Sequence, residues 1–140
     1  MVALYKKVIM GGNVMSENSL KILICDDSML MRKKLKDSLN LCGSFEYLEA
    51  TDGQIAVDIY KEQNPDLVFM DIVMPVKDGI TAVIEIKEFD ENAKVAMASS
   101  TGTKENLRKA IEAGAFEFIQ KPWEQEHIAK ILSNFITKGE

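Results

Sequence analysis

Apolar positions along this chain follow two patterns that take turns. Short, nearly unbroken runs occur at Ile22-Leu23-Ile24-Cys25, Leu67-Val68-Phe69-Met70, Val95-Ala96-Met97-Ala98 and Phe116-Glu117-Phe118-Ile119. Between them lie longer segments whose apolar residues recur every three or four positions. Runs of the first kind read as strands buried on both faces, as in a parallel sheet, and segments of the second kind as amphipathic helices. The spacing predicts strands over residues 20–25, 45–50, 66–70, 94–98 and 115–119. It predicts helices from Ser28 to about Leu41 and over residues 53–63, 80–89, 103–113 and 124–137. Ser28 can cap the first helix, Asn64-Pro65 stops the second and Gly114 ends the fourth. The expected apolar stripes are Leu30, Met31, Leu35 and Leu39, then Ile55, Ala56, Ile59 and Tyr60, then Ile80, Val83, Ile84 and Ile86. Five repeats of strand then helix imply right-handed crossovers with helices on both faces of one sheet.

Polar residues follow the runs at consistent places. Asp26-Asp27 follows the first strand, Asp71 the third, Ser99-Ser100 the fourth and Lys121-Pro122 the fifth. Parallel strands point one way, so their carboxyl ends share one rim, and ligands of open α/β sheets bind there. Three carboxylates, a hydroxyl and an ammonium therefore converge on one place. Neighbouring carboxylates repel unless a cation holds them. Mg2+ takes one or two carboxylates together with waters and phosphate oxygens, and Asp71 can complete such a site. A carboxylate can also attack phosphorus to give an acyl phosphate. A divalent cation and Lys121 would offset the charge on the transferring group, and Ser99 is placed to hydrogen-bond a phosphoryl oxygen. The Lys121-Pro122 peptide can be cis, which would aim the ammonium inward. Each signal also has a structural reading: an Asp pair opening a helix, a loop carboxylate, a strand-end hydroxyl, a surface lysine. What distinguishes them from chance is their order at four different strand ends.

Bulk composition narrows the classes. A chain of 140 residues makes one domain with a real core. Its net charge of -5 argues against sequence-independent nucleic-acid binding, which needs a basic face. No apolar stretch approaches the ~20 residues of a membrane span. Cys25 and Cys42 read as small buried apolar residues rather than as a disulfide, in a reducing cytoplasm. Residues 1–19 read as an N-terminal extension, with 1–14 an upstream leader whose charges sit inside its apolar run, unlike a signal peptide. Residues 20–140 form the folded domain.

From about Leu20 to Thr137 the chain resembles the receiver domain of two-component response regulators, most closely the stand-alone, chemotaxis-type, CheY-like receivers. The resemblance rests on Ile22-Leu23-Ile24-Cys25-Asp26-Asp27-Ser28, on residues 66–79 with Met70-Asp71-Ile72-Val73-Met74-Pro75 and Asp78-Gly79, on Ala98-Ser99-Ser100, on Ala113-Gly114-Ala115 and on Phe118-Ile119-Gln120-Lys121-Pro122. It implies a doubly wound, flavodoxin-like α/β fold with five parallel strands in the order 2-1-3-4-5, the order that typifies CheY-like proteins. It further implies that Asp71 accepts a phosphoryl group, and that Asp26, Asp27 and Asp71 bind Mg2+ with the Val73 carbonyl. Ser99 stands at the switch hydroxyl, Lys121 at the phosphate-binding lysine and Phe118 at the switch aromatic.

On that resemblance the expected function is to take phosphate from a histidine kinase and to regulate a partner protein by contact, most simply of chemotaxis type. Phosphorylation would draw Ser99 toward the phosphoryl group and let Phe118 turn inward, changing the surface of the fourth helix, fifth strand and fifth helix. Lys104, Leu107, Arg108, Ile111, Phe118 and Gln120 are the expected partner surface, with core packing the alternative for Leu107 and Ile111. Phe118 has no hydroxyl, so its two states would differ mainly by apolar burial. Val73 and Thr101 flank the access route of a hydrolytic water, and apolar Val73 implies slow to moderate autodephosphorylation. Trp123 could report ligand binding or simply pack, and His127 reads as a surface or packing residue away from the strand-end loops. No DNA-binding domain is expected, nor membrane insertion; the chain is expected to be a monomer or weak dimer and not a turnover enzyme. The alternatives are a relay intermediate that passes phosphate on, an Asp-nucleophile phosphatase, which would want a carboxylate at position 73, and a receiver that acts without phosphorylation.

Overall fold

The computed structural model describes residues 8–10, 13–15 and 20–138. Two three-residue strands, β1 (Val8–Met10) and β2 (Asn13–Met15), pair antiparallel with Val8 opposite Met15. The extension expected over residues 1–19 otherwise lies outside the described residues. The main body runs β3 (Lys21–Cys25), α1 (Met29–Asn40), β4 (Glu46–Ala50), α2 (Gly53–Gln63), β5 (Leu67–Asp71), α3 (Gly79–Phe89), β6 (Val95–Ser99), α4 (Lys104–Ala113), β7 (Glu117–Gln120) and α5 (Gln125–Lys138).

The last five strands form one parallel sheet in the order β4-β3-β5-β6-β7. Counted among themselves these strands read 2-1-3-4-5, the expected doubly wound fold with five helices. Side chains alternate across the sheet. Leu23, Val68, Met70, Val95 and Met97 point to one side, where they meet Ala56, Val57, Tyr60, Ala82, Val83, Ile86 and Ala110 of α2, α3 and α4. Ile22, Ile24, Leu67, Phe69, Ala96 and Ile119 point to the other, against Leu35 and Leu39 of α1 and Ile128, Ile131, Leu132 and Phe135 of α5. Burial on both faces is what makes these strands read as continuous apolar runs.

Four helices begin with a side-chain cap. Ser28, Asp52, Asp78 and Thr103 accept from the amides of Met31, Ile55, Thr81 and Asn106, each bond worth about 1 kcal/mol. Asn64 and Gly114, both left-handed, end α2 and α4.

The apolar stripes differ from expectation in register. α2 buries Gly53, Ala56, Val57 and Tyr60, and α3 buries Gly79, Ala82, Val83 and Ile86. Each set is a narrow i, i+3, i+4, i+7 stripe facing the sheet, so Ile55 and Ile84 fall beside it and stay exposed, as does Leu30 on α1. Cys25 is buried as expected, but Cys42 is exposed, because the chain past the end of α1 runs over the surface. Both thiols are free. The last strand begins at Glu117 rather than Ala115, since the Ala115 amide still bonds back to Ala110 of α4. Among the described residues no helix is long and apolar enough to cross a membrane.

Candidate functional site

The register of the sheet brings the polar strand ends level. Cys25 pairs with both Ala50 and Met70, Asp71 with Ala98, and Ser99 with Gln120. Asp71 and Ser99 are thus the last residues of β5 and β6, while Asp26 and Lys121 are the first residues beyond β3 and β7.

Asp26 is held from four sides. Its amide donates to the Ala50 carbonyl at 3.1 Å, extending the ladder by one residue. Its Oδ1 accepts from the Ser28 amide at 2.9 Å, its Oδ2 from Lys121 Nζ at 2.6 Å, and its carbonyl from Arg32 Nη1 at 2.8 Å. Arg32 is itself fixed by Glu49, which also pairs with Lys36. Asp71 sits beside it with 8% of its surface exposed. Asp27 is exposed. Carboxylate oxygens of Asp26, Asp27 and Asp71 lie within 4.8 Å of one another. Lys121 Nζ, also 3.2 Å from Asp71 Oδ1, is the only cation paired to them among the described residues.

This crowding shows in the acidities. Burial raises the Asp71 carboxyl above its ordinary value; Lys121 pulls it back, and the Asp26 and Asp27 charges add to the rise. For Lys121, burial opposes the charge, but the bonds to Asp26 and the attraction of Asp71 outweigh it and hold the ammonium above its usual range. One ammonium against three carboxylates leaves the group two negative charges in excess. A hard, doubly charged, oxygen-seeking cation fits that donor set.

Loop geometry maintains the site. The Gly79 amide donates to the Ile72 carbonyl at 2.8 Å, and a methyl group on Gly79 would overlap the Asp71 carbonyl. A methyl on Gly53 would likewise overlap the Lys77 carbonyl. Val76 takes a positive φ of 69°, and the Lys77 amide bonds to the Pro75 carbonyl across it. Val73 is 72% exposed beside Asp71. The Lys121-Pro122 peptide is cis.

The remaining residues singled out from the sequence occupy the β6–α4–β7 side. Ser99 is buried and bonded within its own loop: its Oγ donates to the Thr101 carbonyl and accepts from the Thr101 amide, both at 3.0 Å. Phe118 is half-buried against the core. It shares a groove of about 490 Å³ with Gly102, Lys104, Leu107, Gln120 and His127. His127 therefore does not lie apart, as expected, but faces the segment leading from Lys121. Leu107 and Ile111 are exposed, not core, and border a smaller groove of about 280 Å³ with Phe116 and Phe118. Arg108 is paired along its own helix to Glu105 and Glu112. Trp123 packs at the start of the last helical segment, donating from Nε1 to Ser38 Oγ at 3.0 Å.

Arg32 and Ser38 escaped the sequence reading. Gly79 was singled out only as part of the Asp78-Gly79 pair in the resemblance; its close approach to the Asp71 carbonyl needs the fold. Arg32 sits one turn after the capping Ser28, a spacing that could have placed it over the preceding loop.

A parallel sheet of this winding, with an acidic trio and one half-buried lysine at its rim, defines a doubly wound α/β class rather than a particular activity. The model of the response regulator receiver domain matches residues 22–133, and the chain belongs to that family. Within it the chain is CheY-like. It is 45% identical over 118 residues to the chemotaxis protein CheY of Halobacterium salinarum, covering 84% of this chain and 97% of that one. It is 44% identical over 113 residues to CheY of Bacillus subtilis, covering 81% and 94%. Among solved structures it is similar to CheY in the CheX–CheY–BeF3–Mg2+ complex from Borrelia burgdorferi, at 35% identity and a TM-score of 0.73, covering 86% of this chain and 90% of that one. The chain is thus a response regulator receiver, a signalling protein and not a turnover enzyme.

Proposed function

We propose that this receiver takes a phosphoryl group from the phosphohistidine of a histidine kinase onto Asp71, in a Mg2+-dependent reaction, and so controls a partner protein in chemotaxis-type signalling. The observation that carries the reading is the trio Asp26, Asp27 and Asp71 within 4.8 Å, faced by one half-buried ammonium. Similarity to CheY proteins supports the chemotaxis assignment, and the neighbour solved with BeF3 and Mg2+ supports the ligand class.

The carboxylates of Asp26, Asp27 and Asp71, with the Val73 carbonyl, would hold Mg2+, which supplies charge neutralisation at phosphoryl oxygens. In the transfer an Asp71 carboxylate oxygen attacks phosphorus. A P–O bond forms, the P–N bond to the donor imidazole breaks, and the electron pair leaves on that nitrogen, which takes a proton from solvent. Lys121, already 3.2 Å from Asp71 Oδ1, would bind the new phosphoryl oxygens. Water attack on phosphorus later releases inorganic phosphate and restores the carboxylate.

Once the phosphoryl group is present, the Ser99 hydroxyl would exchange its two Thr101 bonds for one to a phosphoryl oxygen. Its loop leads into α4, and Phe118 lies in the groove that loop borders. The two packings would present different α4–β7–α5 surfaces, with Lys104, Leu107, Arg108, Ile111, Phe118 and Gln120 the contact set. The test is incubation with acetyl phosphate and Mg2+, read by intact mass. An adduct in wild type and none in Asp71→Ala is expected. No adduct in wild type, or an equal one in Asp71→Ala, would overturn the assignment.

A further inference from the structure

We propose that α1 is a bracket that sets the Lys121–Asp26 pairing, with Ser38 and Trp123 as positioning residues for the Lys121 ammonium. The use made of that ammonium rests on the receiver reading above; the bracket itself is a matter of geometry.

One end of α1 fixes Asp26. The Ser28 amide binds Oδ1 at 2.9 Å, and Arg32 Nη1 binds the carbonyl at 2.8 Å. The other end fixes the segment that carries Lys121. Ser38 Oγ accepts from Trp123 Nε1 at 3.0 Å, and the Ser38 carbonyl accepts from Gln125 Nε2 at 3.0 Å. Trp123 is two residues from Lys121, whose own amide is held by the Ser99 carbonyl at 2.8 Å on the opposite side. Trp123 also lines, with Asp26, Asp71, Lys121, Leu35 and Phe69, a small space of about 20 Å³ beneath the carboxylates. The indole is therefore both wall of that space and tether to α1.

A lysine has four side-chain torsions and no rigid fork, so its direction depends on how its root is held. Ser99 alone leaves the segment after Lys121 free to swing about one hydrogen bond. The Ser38–Trp123 bond restricts that freedom nearest Lys121, with Pro122 between the two anchored residues and the Gln125–Ser38 carbonyl bond holding the chain further on. Both partners of the 2.6 Å Lys121–Asp26 contact are thus referred to one rigid helix, although they lie 95 residues apart in sequence.

The test compares wild type with Ser38→Ala and Trp123→Phe, which remove the bond from either side, and with Ser38→Thr, which keeps an accepting hydroxyl. Two affinities are measured by calorimetry: Mg2+ alone, and beryllofluoride at saturating Mg2+. Loss of the tether should weaken beryllofluoride about fivefold, the worth of one neutral hydrogen bond, and leave Mg2+ affinity unchanged or raised. Ser38→Thr should restore the wild-type value. Unchanged beryllofluoride affinity in Ser38→Ala, or parallel weakening of both ligands, would overturn the bracket. A second readout needs no phosphoryl mimic. The Lys121 Nζ resonance of metal-free protein should be protected from solvent exchange in wild type and lose that protection in both variants; equal protection would overturn the proposal. Failure of wild type to bind beryllofluoride would instead count against the receiver chemistry, with the Nζ resonance still deciding the bracket.

Discussion

Replacing Asp71 with Asn should make the metal-free protein more stable at neutral pH, although it removes the carboxylate proposed to accept the phosphoryl group. Asn has the same shape and keeps a polar end, so the change isolates the charge. At an effective dielectric near 20, charges 4.8 Å apart repel by about 3.5 kcal/mol, which sets the scale of Asp26 against Asp71. Exposed Asp27, screened almost as in water, adds about 1 kcal/mol. Lys121, 3.2 Å away, returns about 5 kcal/mol. These terms nearly cancel, so the desolvation of a buried carboxylate decides the sign, and that is also the largest cause of its raised pKa. A gain of about 2 kcal/mol follows for Asp71→Asn, because Lys121 keeps Asp26 as partner. In urea that is a midpoint shift of about 1 M for a protein of this size.

The pH dependence has a definite direction. Asp71 binds its proton more tightly folded than unfolded. Its charge therefore costs stability above the ordinary aspartate range, and the cost vanishes as pH falls below the unfolded value. The gap between the Asp71→Asn variant and wild type should be full at pH 7 and close near pH 3 to 4. Excess Mg2+ should shrink or reverse it, because a cation that binds only the native trio adds about 2.7 kcal/mol to wild type at a hundred times its dissociation constant. Urea titrations in chelator and in Mg2+, over a pH series, measure all of this. An Asp71→Asn variant less stable than wild type at pH 7 without metal, or a gap that widens on acidification, would refute the reasoning.

Gly79→Ala should lose about 2 kcal/mol or more in the same urea assay, since its methyl would overlap the Asp71 carbonyl and the Ile72 backbone. Val73→Asn places a polar amide beside the proposed phosphoryl site, at a position that is 72% exposed; it should shorten the phosphoryl lifetime severalfold, measured by decay of the acetyl-phosphate adduct. Burial, with Cys42 and Asp37 nearby, pushes the Tyr47 phenol up to about 12. The unfolded chain then ionises first, so stability should fall between about pH 10 and pH 12 and that part of the fall should be absent in Tyr47→Phe, as read by ultraviolet titration and thermal melts.

The parallel sheet was legible because its strands are buried on both faces: Leu67 to Met70 leaves no polar gap for another reading. The convergence of Asp26, Asp27, Asp71 and Lys121 was legible for the same reason, since parallel strands must end at one rim. The helix stripes were less so. Ile55 and Ile84 look like core residues by type, yet a short helix lying on a sheet buries only the stripe that Val57 and Ala82 occupy. Cys42 was misread because its type favours burial while its place, just past α1, does not. Ser38 could not be read at all. Its hydroxyl meets Trp123 across 85 residues of sequence, and no local pattern records which serine of an amphipathic helix will face which loop.

On the proposed reading, Ser99 would make the switch graded rather than absolute. Its hydroxyl makes two bonds to Thr101, each worth about 1 kcal/mol net, whereas a bond to a charged phosphoryl oxygen is worth about 1.5–3 kcal/mol. The exchange is close to balanced, so hydroxyl capture alone would shift the population only modestly. On that reading the rest of the bias would come from Phe118, half-buried and without a hydroxyl to lose to water in either position. Turning it fully inward would add apolar burial at about 25 cal/mol per Å², and a partner seated on Leu107 and Ile111, both exposed in this state, would add its own contacts. On the proposed reading, phosphorylation and partner binding each supply part of the shift. The linkage then runs both ways: the partner should slow loss of the phosphoryl group by the factor by which phosphorylation tightens partner binding, to the extent that the same packing governs both.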